Sequence, residues 1–288
     1  MAYWQWGDPA AERVIVCVHG LTRQGRDFDV LASALCGAAA KRGDRVRVVC
    51  PDVVGRGRSD WLADPMAYAV PTYAADMLSL LGQLNQQAPV CTLDWVGTSM
   101  GGLIGMAICG QTELPLPVPV HRLVLNDVGP SIQWGALERI AAYVGNTGRF
   151  QNLDAAADAM WSISTSFGPH TREEWLALSR PMVRPIDPDN AQGEVTLHYD
   201  PNLAIPIKAL TPELAAQGEA LIWGLYDRIR AAVLLLRGSN SDLLSVPTAQ
   251  AMVQRGPKAR LLEFPGVGHA PTLIHADQVD PVVDWLLA

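Results

Sequence analysis

No block of basic residues occurs anywhere in this chain of 288 residues. The formal charge, 22 basic against 29 acidic side chains, is −7. A mildly acidic surface has no electrostatic reason to seek nucleic acid or an anionic membrane. No uninterrupted apolar run reaches the length of a membrane span. The opening MAYWQWGDPA lacks the charged and apolar regions of a secretion signal. Paired cysteines are missing too. The five present, Cys17, Cys36, Cys50, Cys91 and Cys109, are odd in number and widely spaced, each within an apolar segment. That pattern fits neither a disulfide frame nor a zinc site, and the expectation is reduced core thiols in a cytoplasmic protein. Internal repeats and low-complexity tracts are also absent. What remains is an ordinary globular composition, 49% hydrophobic and 18% charged, long enough for one large core with or without an insertion.

Six short runs rich in valine, isoleucine or leucine read as strands: RVIVCVHG (13–20), RVRVVCPD (45–52), PVCTLDWVG (89–97), HRLVLND (121–127), AAVLLLRG (231–238) and ARLLEFPG (259–266). Most lack polar alternation, so both faces are expected to be covered. Helical patterns lie between them, at about 28–41, 73–86 and 99–110, with a last helix near 279–287 carrying Trp285 inward. Strands alternating with helices imply an α/β fold with a mostly parallel central sheet flanked by helices. Residues 1–128 and 231–288 then form the core. Residues 129–230 interrupt the rhythm with helical patterns and proline-rich loops, which predicts an inserted helical lid across the strand ends. Two of its helix starts are legible: Thr171 with Glu174 as a capping box, and Thr211 as N-cap before Pro212.

The stretch LDWVGTSMGGLIGMAICG (93–110) sets one serine, Ser99, between Gly97 and Gly101, after a strand and before a helix. A turn that sharp leaves room only for small residues at the flanking positions, which Gly97 and Gly101 supply, and it lifts the hydroxyl above the sheet. The amide of Met100, at the positive end of the helix, is then free to donate to an oxyanion. The backbone N–H of Leu21, just after His19-Gly20, is the second donor expected, and His19 shapes that loop.

A serine needs a base, and the base needs an orienting carboxylate. His269, in FPGVGHAPTL after the last strand, is the candidate base; His121, His170, His198 and His275 read as structural or solvated. Asp242, in LRGSNSDLLS directly after the strand at 231–237, is the expected acid, with Asp127 as rival because it also ends a strand at the same edge. Asp52 precedes a loop and Asp94 falls within a strand, and both suit the role less.

Five motifs together resemble the α/β-hydrolase superfamily over nearly the whole chain: His19-Gly20, PDVVGRGRSD (51–60), GTSMGG (97–102), SNSDLLS (239–245) and GHAP (268–271). The pattern is similar to a bacterial, lid-containing, carboxylesterase-like group with helices after the sixth strand. That group includes carboxylesterases, lactonases, hydrolases of hydroxyacid oligomers and carbon–carbon bond hydrolases. NDVGP (126–130) and YVGNTGRF (143–150) are similar to its esterase-like members. One departure is that the N-terminal hairpin is reduced to a single strand, AYWQWG (2–7).

The resemblance implies a serine hydrolase acting on a small-molecule carboxylic ester, with no metal or organic cofactor. Cleavage of a lactone or a carbon–carbon bond uses the same groups, and a non-catalytic receptor on the fold is the remaining alternative. Within the insertion, Trp134, Trp161 and Trp223 are candidates to line the pocket, as against packing the lid, which is also the reading for Trp175. Arg139, Arg149 and Arg184 are candidates to meet a substrate carboxylate, as against lying on solvated faces.

Overall fold

The computed structural model describes residues 1–190 and 192–288. Each of the six apolar runs forms a strand, and AYWQWG supplies a seventh. They are β1 (Tyr3–Gly7), β2 (Arg13–Val18), β3 (Arg47–Pro51), β4 (Thr92–Thr98) and β5 (Val120–Asn126). After a small inserted pair, β6 (Val183–Pro185) and β7 (Val195–Leu197), come β8 (Ala232–Gly238) and β9 (Arg260–Phe264). The main sheet runs β1-β3-β2-β4-β5-β8-β9. All neighbours are parallel except β1, which pairs antiparallel with β3.

The absence of polar alternation is explained by helices on both faces. Along β2, Val14, Val16 and Val18 enter one core, while Ile15 and Cys17 enter the other. The first core is closed by α2 (Val70–Gln87) and α3 (Met100–Cys109). The second is closed by α1 (Asp29–Arg42) and the C-terminal helix, whose Val282 and Leu286 are fully buried. Trp285 is only half-buried there, with Arg122 over its ring. Four cysteines are buried or half-buried and Cys91 is exposed, because it sits in the turn before β4; all five are unpaired.

Between β5 and β8 lie α4 (Trp134–Tyr143), α5 (Leu153–Ser162), α6 (Arg172–Ser179), α7 (Ala204–Lys208) and α8 (Pro212–Tyr226). Thr171 and Glu174 form the expected capping box, and Thr211 Oγ1 accepts from Leu214 N at 3.3 Å. Ala156, Ala157 and Met160 of α5 pack with Trp175 and Leu178 of α6 in a separate small core. Trp175 is therefore a packing residue, and its indole donates to the Ala157 carbonyl at 2.7 Å. The β6–β7 pair was not legible, being two strands of three residues each. α8 returns to the core and packs on α3, so closely that a side chain at Gly110 would meet the Leu225 carbonyl at 2.4 Å. The last two helices are α9 (Val246–Gln254) and α10 (Ala276–Leu287). No helix among the described residues is long and apolar enough to cross a membrane.

Candidate active site

Ser99 lies between the last residue of β4 and the first of α3, with φ +51° and ψ −116°. A non-glycine residue held in that region costs on the order of 1–3 kcal/mol. The surroundings impose it. A Cβ on Gly97 would sit 2.4 Å from the Gly101 backbone, and one on Gly101 would sit 2.0 Å from the Val18 carbonyl oxygen. Both glycines are thus demanded by backbone approach, and β4, β2 and α3 lock the turn that presents the hydroxyl.

The loop between β9 and α10 brings His269 over this turn. Its Nε2 lies 3.0 Å from Ser99 Oγ and its Nδ1 lies 2.7 Å from Asp127 Oδ2. A carboxylate at Nδ1 assigns the proton to that nitrogen and leaves Nε2 facing the hydroxyl. Asp127, just past the end of β5, is fully buried with φ +55°. Its Oδ1 accepts from Gly238 N at 2.9 Å, and its Oδ2 also accepts from Ser241 Oγ at 2.6 Å. Asn126 ties the two halves together, donating to Thr98 Oγ1 at 3.0 Å and to the Pro271 carbonyl at 2.8 Å.

The carboxylate beside His269 is therefore Asp127, and the expectation of Asp242 is corrected. β5 and β8 are neighbours, so the loops after them reach the same place. In the loop after β8 the inward position is taken by Ser241, which donates to Asp127. Asp242 turns outward, its side chain 46% exposed, and accepts both Nε and Nη2 of Arg139 at 2.7 and 2.9 Å. No local feature of SNSD distinguishes these orientations.

The other histidines stand elsewhere. His19 is fully buried; its Nε2 accepts from Val53 N at 2.9 Å, so Nδ1 carries the proton and donates to the Gly20 carbonyl at 2.7 Å. Burial pushes its pKa down to about 3, so it stays neutral. Pinning the Gly20 carbonyl aims the N–H of the same peptide unit, that of Leu21, the opposite way. Arg56, also fully buried, donates from Nε to the Leu21 carbonyl at 2.7 Å and from Nη2 to Met100 Sδ at 3.2 Å. Among the described residues neither the Leu21 nor the Met100 amide has an acceptor. His121 approaches Asp94, while His170 reaches Thr272 and His275 reaches Glu174.

A cavity of about 450 Å³ opens on Ser99 and His269. Its floor is the core; its roof is the insertion, through Ile140, Tyr143, Phe150, Met160, Phe167 and Met182. Trp134, Trp161 and Trp223 do not line it. Trp161 packs edge-on to Trp175, Trp223 donates to Ser131 Oγ at 2.9 Å, and Trp134 is a half-buried residue opening α4. Smaller apolar side chains form the wall instead. Arg184 stacks on Trp61, away from the cavity, whereas Arg139 and Arg149 line it. Arg23 lines it as well and was not singled out from the sequence. Its i,i+4 spacing to Asp27 was the available signal, and the two form a bidentate pair at 2.7 and 2.6 Å. Among the described residues no three His, Cys, Asp or Glu side chains are grouped to hold a metal ion.

Residues 15–285 match the model of the alpha/beta hydrolase family. The 3-hydroxybutyrate-oligomer hydrolase of Cupriavidus necator is 49% identical over 279 residues, 97% of this chain and 90% of that protein. The pimeloyl-[acyl-carrier protein] methyl ester esterase of Chromobacterium violaceum is 26% identical, over 91% of this chain and 89% of that one. An alpha/beta hydrolase structure from Novosphingobium aromaticivorans superposes with a TM-score of 0.80 at 32% identity, covering 99% of this chain and 93% of that chain. With the mainly parallel sheet and the serine turn in place, this chain belongs to the alpha/beta hydrolase family.

Proposed function

We propose that this chain hydrolyses carboxylic esters through an acyl-enzyme on Ser99, and that its substrates are short oligoesters of hydroxy acids. The observation that carries the reading is the hydrogen-bonded line from Ser99 through His269 to Asp127, at 3.0 and 2.7 Å, ending in a cavity. The substrate class follows the 49% identity to the 3-hydroxybutyrate-oligomer hydrolase. A cavity of about 450 Å³ with an apolar roof has the size and character of a small-molecule site.

Ser99 Oγ attacks the ester carbonyl while His269 Nε2 takes its proton. Asp127, held by Gly238 and Ser241, keeps Nδ1 protonated and stabilises the imidazolium. The carbonyl oxygen, now negative, is received by the amides of Leu21 and Met100. Collapse of the intermediate expels the alcohol, which takes the proton from Nε2. Water then gives its proton to Nε2 and attacks the acyl-enzyme, and a second collapse returns Ser99 and releases the acid. Residues 129–230 act as a lid, because the substrate lies between them and Ser99. The five unpaired cysteines suit a cytoplasmic enzyme.

The test is Ser99→Ala with a panel of short esters and hydroxybutyrate oligomers, together with labelling by a fluorophosphonate. Turnover is expected to fall by at least about a thousandfold in a folded protein, and the label to map to Ser99. Retention of most of the turnover, or a label on another residue, overturns the assignment.

A further inference from the structure

The walls of the cavity carry a charge bias opposite to that of the whole chain. Three arginines, Arg23, Arg139 and Arg149, line it, and no Asp or Glu does so among the described residues, although the chain carries a formal charge of −7. Each arginine has a carboxylate partner, but Asp27, Asp242 and Glu194 all stand behind the wall.

The three cations are not equivalent. Arg139 and Arg149 have side chains 39% and 65% exposed, whereas that of Arg23 is 15% exposed. A charged contact at Arg23 is therefore the least screened by water. Arg23 is also close to the chemistry. A Cβ on Gly20 would lie 3.6 Å from Ser99 Cβ and 3.8 Å from Arg23 Cγ. Leu21, the amide donor, is two residues away. The guanidinium is already oriented: Nε and Nη2 are held by Asp27, and Nη2 also reaches the Leu178 carbonyl at 3.4 Å. Its Nη1 has no acceptor among the described residues and is not among their fully buried unpaired atoms.

We infer that Arg23 is a carboxylate-binding residue beside the nucleophile, and that the cavity selects esters whose leaving alcohol carries a free carboxylate. In an ester between two 3-hydroxy acids the terminal carboxylate lies three bonds from the scissile oxygen, so one anchor serves both recognition and placement of the ester. Asp27 fixes the plane of the fork, and Nη1 donates to the substrate. The subsite rests on the reading that Ser99 cleaves esters, and it adds which end of the substrate is held and by what.

The experiment compares two substrates with one ester bond each: the dimer of 3-hydroxybutyrate with its terminal carboxylate, and the same dimer ending in a neutral carboxamide. In the unmodified enzyme the ratio of their kcat/KM values is expected to favour the acid by at least about tenfold, as the loss of a charged hydrogen bond predicts. Arg23→Gln is expected to bring the ratio near one, and Arg23→Lys to leave it intermediate. A ratio within one enzyme cancels any general loss of turnover. A ratio near one in the unmodified enzyme, or an unchanged preference in Arg23→Gln, overturns the subsite. Cleavage of p-nitrophenyl butyrate with neither dimer cleaved overturns it while leaving the esterase reading standing. Absence of all three activities removes both.

Discussion

Asp127 Oδ2 lies 2.7 Å from His269 Nδ1, on a carboxylate that also accepts from the Gly238 amide and the Ser241 hydroxyl. Asp242, whose loop approaches the same place, points outward to Arg139. The two aspartates therefore give opposite forecasts. Asp127→Asn puts an amide against the Gly238 N–H and removes the charge that holds the imidazole tautomer. Its kcat is expected to fall about a thousandfold or more. Asp242→Asn loses an exposed ion pair, worth about 1 kcal/mol or less, and kcat is expected to change by less than a few-fold. Steady-state kinetics on both variants, with circular dichroism to confirm folding, decide the matter. A dead Asp242→Asn beside an active Asp127→Asn would reinstate Asp242.

The glycines around Ser99 divide by what surrounds them. On Gly101 a Cβ would sit 2.0 Å from a backbone oxygen, so something must move in the locked turn. Gly101→Ala is expected to cost more than about 3 kcal/mol of stability, a cost typical of severe overpacking. On Gly20 the nearest atoms are 3.6 Å away and φ is not positive, so the fold accepts a methyl group. That methyl would occupy space between Ser99 and Arg23 that the substrate needs. Gly20→Ala should melt within a few degrees of the unmodified protein yet show a raised KM for hydroxybutyrate oligomers. Thermal melts paired with kinetics distinguish the two glycines, and a Gly20→Ala enzyme with unchanged KM would show that the substrate lies elsewhere.

His19 gives a prediction about acid. Its folded pKa of about 3 lies below the unfolded value of 6.5, chiefly through burial. The unfolded chain binds this proton first as pH falls, so the stability His19 contributes is complete above pH 6.5 and is lost on the way down to 3. Within that window the slope is about 1.4 kcal/mol per pH unit for one group. His19→Asn keeps a donor near the Gly20 carbonyl and removes the titration. Urea unfolding at pH 7 and pH 5 should show a smaller loss of stability in the variant by about that slope per pH unit. Equal losses in both proteins would mean that the ring is not kept neutral by the fold.

Much of this arrangement is written locally in the chain. The apolar runs that lack alternation are the strands covered on both faces, and Gly97, Ser99 and Gly101 show their turn because Gly97 meets the Gly101 backbone within five residues, although the demand on Gly101 comes from Val18 on β2. His269 is legible because it sits in the loop directly after the last strand, whereas His275, in the same connection, lies at the approach to the last helix. The sequence favours Asp242, in the loop directly after a strand, over Asp127 at the end of its neighbour, and the structure sets Asp127 beside His269 instead. The choice depends on which residue of SNSD turns inward, a rotation set by Ser241 binding Asp127. Of the tryptophans in the insertion, Trp161 and Trp175 take the packing alternative in its small core and Trp223 packs against the main core, while Met160 and Phe167 line the cavity. Arg23 has a local partner in Asp27, but its place on the cavity wall, like the contacts of Arg56 with Leu21 and Met100, depends on segments distant in the chain.

Arg56 ties Leu21 and Met100, the residues whose amides are proposed to receive the oxyanion, to one guanidinium. It holds the Leu21 carbonyl at 2.7 Å, the Val54 carbonyl at 2.7 Å and Met100 Sδ at 3.2 Å, from a fully buried position between the rings of Tyr68 and Tyr73. Burial lowers its pKa, yet a guanidinium remains charged there. A lysine ammonium is a point donor and cannot span three acceptors set in a plane. Arg56→Lys is therefore expected to loosen the Leu21 peptide and the first turn of α3 together. On the proposal that the amides of Leu21 and Met100 receive the oxyanion, the loss falls on the tetrahedral intermediate and its flanking transition states and not on the bound ester, so kcat should drop about ten- to a hundredfold while KM for a neutral aryl ester stays within a few-fold. A merely structural role would instead lower Tm and the fraction of active enzyme without changing the behaviour of each folded molecule. The separating measurement is inhibition by an alkylboronic acid, which forms a tetrahedral adduct on Ser99. Its affinity should weaken in parallel with kcat, while inhibition by 3-hydroxybutyrate, which forms no oxyanion, holds. If boronate affinity is unchanged in a well-folded Arg56→Lys protein, the guanidinium does not position the amides of Leu21 and Met100.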